Sequence, residues 1–215
     1  MMDLDSYLNL VSNIFSGCEV LLLYYSGSKG YGFDDENSDT DLTVVLDGFN
    51  GNMHLQLGKI DIFAFSKEDY IKRQNFDKTI IDYYKSAADD ILVPEDKVIY
   101  LDNKFFKQYE KMKNFEVKPF IVNQLSALIN YTKMRMDINM KFKSHYHLFR
   151  MRGMIEHYEI TGKYELVVEG QWFSKMMDFK NNWDNEIAQN YVEEIKEQLD
   201  YLENYRNEMI QNGLG

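Results

Sequence analysis

The chain has 215 residues, with 24 Lys and Arg against 35 Asp and Glu, and a formal net charge of −11. Hydrophobic residues make up 45% and aromatic residues 15%, which excludes a disordered chain and suits either one compact catalytic domain with a helical extension or two small domains sharing a core. The net charge argues against broad nucleic-acid binding, and no run approaches the ~20 apolar residues of a membrane span.

From the N-terminus, Leu4, Leu8, Val11 and Phe15 recur at helical spacing, with Asp3 or Asp5 placed to cap the start. Cys18, the single cysteine, excludes an internal disulfide and reads as a small buried hydrophobe. With no disulfide framework and no signal-peptide pattern, the expectation is a cytoplasmic protein. Val20–Tyr25 reads as a buried strand stopped by Ser26-Gly27. A loop or short helix rich in Gly, Asp and Asn follows over 29–38. DLTVVL (41–46) is a second buried strand, DGFNGN (47–52) a turn or compact hairpin, and HLQLGKIDIFAF (54–65) one or two further strands.

The pattern then turns helical over 67–90, carrying Tyr70, Ile71, Ile80, Ile81 and Tyr84. KVIYL (97–101), after Pro94, reads as a strand or an extended connector. Beyond it the periodicity predicts helices over about 104–113, 118–141, 144–161, 170–179 and 185–212, with Gly162 as a C-terminal stop. The expected fold class is α+β: a small mixed sheet with flanking helices over 1–101, followed by an all-helical region, 102–215, packed on it.

Charge is unevenly placed. Residues 1–100 hold 8 Lys and Arg against 18 Asp and Glu, residues 104–152 hold 11 against 3, and residues 153–215 hold 5 against 13. An acidic first half and a basic middle suit a site with metal on one wall and phosphates on the other; solvated helix faces explain the same numbers equally well.

The segment from Tyr24 to Gly48 carries the chemistry. It runs strand, Gly27-Ser28, a glycine-containing loop, Ser38-Asp39-Thr40-Asp41, strand. Residues i and i+2 of a strand point to one side, so Asp39 and Asp41 are placed to share divalent ions. Two ions ~3.5–4 Å apart can activate a hydroxyl and stabilise a leaving pyrophosphate. Asp61, flanked by Ile60 and Ile62, is costly to bury without a partner, and a metal shared with Asp39 and Asp41 would supply one. Gly27 and Ser28 offer backbone N–H groups and a hydroxyl to a triphosphate, more strongly if Ser28 opens a short helix. Each feature alone is commonplace: an Asp-x-Asp is more often a solvated turn. Their order along three strands is what points to metal-assisted nucleotidyl transfer.

Gly27-Ser28-Lys29-Gly30-Tyr31-Gly32 followed by Asn37-Ser38-Asp39-Thr40-Asp41, with Asp61 on the next strand, resembles the DNA polymerase β-type nucleotidyltransferase superfamily. Within it, these strings together with ILVPEDKVIY (91–100) and KSHYHLFRMRGMIEHYEITGKYEL (143–166) are similar to the RNA-ligase-associated, RlaP-type family. The resemblance implies transfer of a nucleoside monophosphate from an NTP to an acceptor, dependent on Mg²⁺ or Mn²⁺, with two ions held by Asp39, Asp41 and Asp61. It implies triphosphate contact at Gly27 and Ser28; the acceptor is left open between an RNA end, toward which the family association tilts, a protein hydroxyl and a small molecule. The acidic FDDEN before Ser38 departs from the family pattern.

Lys143, His147 and Arg150 fall on one helical stripe, on a helix otherwise lined by Phe142, Tyr146, Leu148, Phe149, Met151 and Ile155. Such a stripe contacts nucleotide phosphates or forms salt bridges to the acidic half. The competing functional reading is a nucleotidyltransferase-like antitoxin or regulatory nucleotide-binding module acting on a protein partner, which the charge of −11 favours.

Overall fold

A computed structural model describes residues 3–36, 38–74, 91–137, 145–181 and 192–212. The chain divides into two compact units, Met1–Phe115 and Glu116–Gly215. The fold is α+β: a five-stranded mixed sheet with flanking helices, then a helical C-terminal region.

In the first unit, helix α1 (Leu4–Ile14) starts where Asp3 accepts a hydrogen bond from the Ser6 N–H at 2.8 Å. The strands are β1 (Glu19–Ser26), β2 (Thr40–Asp47), β3 (Asn52–Leu57), β4 (Ile60–Ser66) and β5 (Val98–Leu101). Their order is β3-β4-β2-β1-β5, with β2 and β4 parallel and the other pairs antiparallel. β1, β2 and β4 are buried for most of their length, which is why they read as continuous β-branched and apolar runs. β3 is an exposed edge strand.

One face of this sheet, with Leu23, Tyr25, Leu42, Val44, Leu46, Ile62 and Ala64, packs with Tyr7, Val11 and Phe15 in a single apolar cluster. On the other face, Tyr70 of α3 (Lys67–Gln74) lies 6.5 Å from Tyr24, 6.3 Å from Phe65 and 6.5 Å from Phe105 of α4 (Asn103–Lys113), ring centroid to centroid. These contacts keep α4 with the sheet unit. KVIYL proves to be a strand, β5, beside β1.

The expected hairpin at DGFNGN is not one. β2 and β3 are not partners: β4 lies between them, and residues 48–51 pass across its end. The apolar β4 takes the inner place against β2 and is buried, leaving β3 outside and exposed. The true hairpin turn is Gly58-Lys59, where Leu57 pairs with Ile60.

In the second unit, α5 (Val117–Asp137) carries Pro119 in its first turn, where a missing N–H costs nothing. α6 (Tyr146–Thr161) ends at Gly162, whose φ of 72° is left-handed and whose N–H donates to the Tyr158 carbonyl at 2.8 Å. α7 (Gly170–Asn181) and α8 (Val192–Gln211) complete the described helices. Leu125, Ile129, Leu148, Met154, Ile155, Met176, Phe179, Ile195 and Leu202 are among its buried apolar residues. The helical expectation over 75–90, with Ile80, Ile81 and Tyr84, lies outside the described residues, as do 138–141, Lys143 and 185–191. No described helix is long and apolar enough to cross a membrane.

Candidate functional site

The site lies at one end of the sheet, where β1 runs out into α2 (Gly27–Gly30) and β2 and β4 begin. Asp41 is the register partner of Asp61 across the parallel β2–β4 pair, and of Ser26 across the antiparallel β1–β2 pair. Register partners point to one side, so Ser26, Asp41 and Asp61 share a face. It is the face of Tyr24 and Phe65, opposite the α1 cluster. The Ser26 hydroxyl is buried there and has no hydrogen-bond partner among the described residues.

Gly27 closes this corner. Its φ is +56°, and a Cβ built on it would stand 1.8 Å from Asp41 Oδ2. The turn backbone is therefore seated directly against the Asp41 carboxylate, an approach only glycine permits. A Cβ on Gly30 would likewise strike the Tyr25 carbonyl at 2.3 Å. α2 is a single turn, held by the Tyr31 N–H to Gly27 carbonyl bond at 3.1 Å and the Phe33 N–H to Ser28 carbonyl bond at 2.8 Å. Its cap position, Ser26, makes no side-chain capping bond. So short a helix adds little dipole; what Gly27 and Ser28 offer is local backbone and, at Ser28, a half-buried hydroxyl.

Lys29 lies over two aromatic rings. Its ammonium lies 4.1 Å from the Tyr25 ring centroid and 5.9 Å from that of Tyr7. Those rings belong to the α1 side of the sheet, opposite the carboxylates.

Asp39 sits one residue before β2 and is exposed. The period-2 rule thus orients Asp41 but not Asp39, which the loop positions. That loop is pinned by Ser38, whose hydroxyl accepts from the Asp35 N–H at 3.0 Å and donates to Asp35 Oδ1 at 3.1 Å. β2 starts where the Thr40 N–H donates to the Lys59 carbonyl at 2.8 Å, joining the Asp-x-Asp segment to the β3–β4 turn.

Asp61 has a partner that the sequence reading missed. His54 Nε2 lies 2.8 Å from Asp61 Oδ1, and the His54 ring stacks on Phe63 with centroids 4.5 Å apart and planes 5° from parallel. The signal was present: from the Gly58-Lys59 turn, Gln56 falls opposite Asp61 and His54 opposite Phe63, diagonal to Asp61 on the same face.

In the second unit, His147 and Arg150 are paired with each other. Arg150 is buried, and its Nε donates to His147 Nδ1 at 3.2 Å. Accepting that bond requires an unprotonated Nδ1. Burial, then the charge of Arg150 and the neighbouring His145, push the His147 pKa well below its ordinary 6.5. The cationic members of the expected stripe thus reduce, among described residues, to Arg150.

A divalent cation with oxygen preference fits the sheet-end donor set. Two carboxylates stand in register, the Ser26 hydroxyl, without a partner among the described residues, belongs to the residue paired with Asp41, and Mg²⁺ commonly takes one or two carboxylates plus substrate phosphates. Among the described residues no three His, Cys, Asp or Glu side chains are already gathered as a complete ligand group.

No protein-family model matches the chain, and no curated protein matches it. The fold and the site together define an α+β protein with a carboxylate pair at one end of a mixed sheet, walled by a glycine turn.

Proposed function

We propose that the protein is a metal-dependent nucleotidyltransferase, moving a nucleoside monophosphate from an NTP to a hydroxyl acceptor, an RNA end being the acceptor class the sequence resemblance favours. The observation that carries this reading is the register of Asp41 with Asp61 on adjacent parallel strands, with Gly27 seated against Asp41. With no side chain between the Gly27 backbone and the Asp41 carboxylate, a phosphate held through metal at Asp41 would meet the turn backbone.

In the reaction, the acceptor oxygen bonds to the α-phosphorus and the bond from that phosphorus to the β-phosphate oxygen breaks. Pyrophosphate leaves with the electron pair, and the hydroxyl proton passes to a nearby base or water. Asp39, Asp41 and Asp61 would hold Mg²⁺ or Mn²⁺, which supplies neutralisation of the charge on the phosphates. Gly27 and Ser28 border the triphosphate; the Ser28 hydroxyl and the turn backbone orient it.

Incubation with each α-labelled NTP, Mg²⁺ or Mn²⁺ and candidate acceptors, followed by mass analysis, tests it. The expected result is an acceptor heavier by one nucleotide, with pyrophosphate released; metal-independent binding of NTP without transfer contradicts it. A second reading, a nucleotide-binding regulatory module with a protein partner, is favoured by one observation. The rim before β2 exposes Asp34, Asp35, Glu36 and Asp39, which repels an RNA backbone. A stable co-purifying protein, with no NTP consumed, supports that reading instead.

A further inference from the structure

We infer that His54 is a positioning residue for the metal carboxylate Asp61, holding its Oδ1 so that the other oxygen is presented to a divalent cation beside Asp41. The inference rests on the metal reading of Asp41 and Asp61, and deepens it by assigning a residue that the motif does not contain.

An ionised carboxylate only accepts hydrogen bonds, so in the 2.8 Å contact Nε2 of His54 is the donor. The bond occupies one oxygen of Asp61 and leaves the second uncommitted by it. The ring is fixed in its turn. His54 lies flat on Phe63, its register partner, at 4.5 Å and 5°, so the donor cannot swing away without losing that stack. Exposure separates the two members: the Asp61 side chain is 14% exposed and that of His54 53%. A half-exposed histidine on an exposed edge strand has no core to fill. What its position achieves is to fix the rotamer of a carboxylate that is itself largely shielded. Hydrogen-bond partners of metal ligands act in this way, and their loss typically costs about 10–100-fold in metal affinity.

Two variants separate the hydrogen bond from the ring. His54→Phe keeps an aromatic ring over Phe63 and removes the donor, while His54→Gln keeps an N–H donor and removes the ring. Mn²⁺ affinity is read by calorimetry and by electron paramagnetic resonance, and folding by thermal melting, for both variants, for Asp61→Asn and for the wild type. In the metal-free wild type, ¹⁵N-resolved NMR reads which ring nitrogen bears the proton. The expected result is a proton on Nε2, Mn²⁺ binding weakened about 10-fold or more in His54→Phe, and binding held near wild type in His54→Gln. A change in melting temperature alone, with Mn²⁺ affinity unchanged in His54→Phe while Asp61→Asn loses it, overturns the inference and leaves the metal reading standing. Mn²⁺ binding that is absent from the wild type, or undiminished in Asp61→Asn, overturns both.

Discussion

At Gly27 two separate constraints fall on one backbone position: a φ of +56°, and an Asp41 oxygen where a Cβ would go. The first alone costs an L-residue about 1–2 kcal/mol. The second forces Asp41 or the turn to move, and so reaches the site. Gly32 supplies the control, because its φ is +76° but open space surrounds its Cβ position. Gly27→Ala is therefore expected to lower the melting temperature more than Gly32→Ala, and to cut Mn²⁺ or NTP binding as well. Gly32→Ala is expected to show only the backbone cost, about 1 kcal/mol in a denaturation curve. Equal losses of binding in the two variants would show that the Gly27–Asp41 contact has no part in the site. The need for glycine after a strand was legible in the sequence. The contact was not, because it depends on which residue of β2 falls opposite the end of β1.

The same distinction governs the elements. Helix ends were readable where local chemistry decides them, as at Asp3 and Gly162, and so were buried strands whose apolar runs need no partner to be recognised. Strand order was not. Alternation along DLTVVL or HLQLGKIDIFAF says which faces are apolar, not which strand lies beside which, so the passage of residues 48–51 across the end of β4 escaped, and with it the His54–Asp61 pair. Spacing in the sequence put Lys143, His147 and Arg150 on one stripe, but spacing cannot tell a solvated cation from a buried one. Arg150 is buried and His147 is held neutral, its pKa lowered by burial first, then by Arg150 and His145.

A histidine with a folded pKa below its unfolded value contributes stability above the unfolded value, near 6.5, and that stability is lost as pH falls toward the folded value. Urea denaturation is expected to show stability declining from about pH 7.5 to about pH 5.5, with the decline flatter in His147→Gln. Identical pH profiles for the two proteins would contradict a buried neutral His147.

Over the whole molecule, charge and chemistry pull in different directions. A net of −11, with an acidic rim before β2, disfavours long nucleic-acid contacts, whereas the carboxylate pair with its glycine turn favours a polyphosphate bound through metal. An RNA acceptor engaged by the basic middle segment predicts affinity that falls steeply with salt, and salt-independent transfer would point to a small-molecule or protein acceptor. The central claim does not depend on that choice. It is that the Asp-x-Asp pair carries nucleotidyl transfer, and the most direct measurement is labelling of acceptor from α-³²P-NTP by the Asp39→Asn, Asp41→Asn double variant beside the wild type, at matched fold by circular dichroism. The account predicts Mg²⁺- or Mn²⁺-dependent label with the wild type and none with the variant. Label transferred equally by both would contradict it.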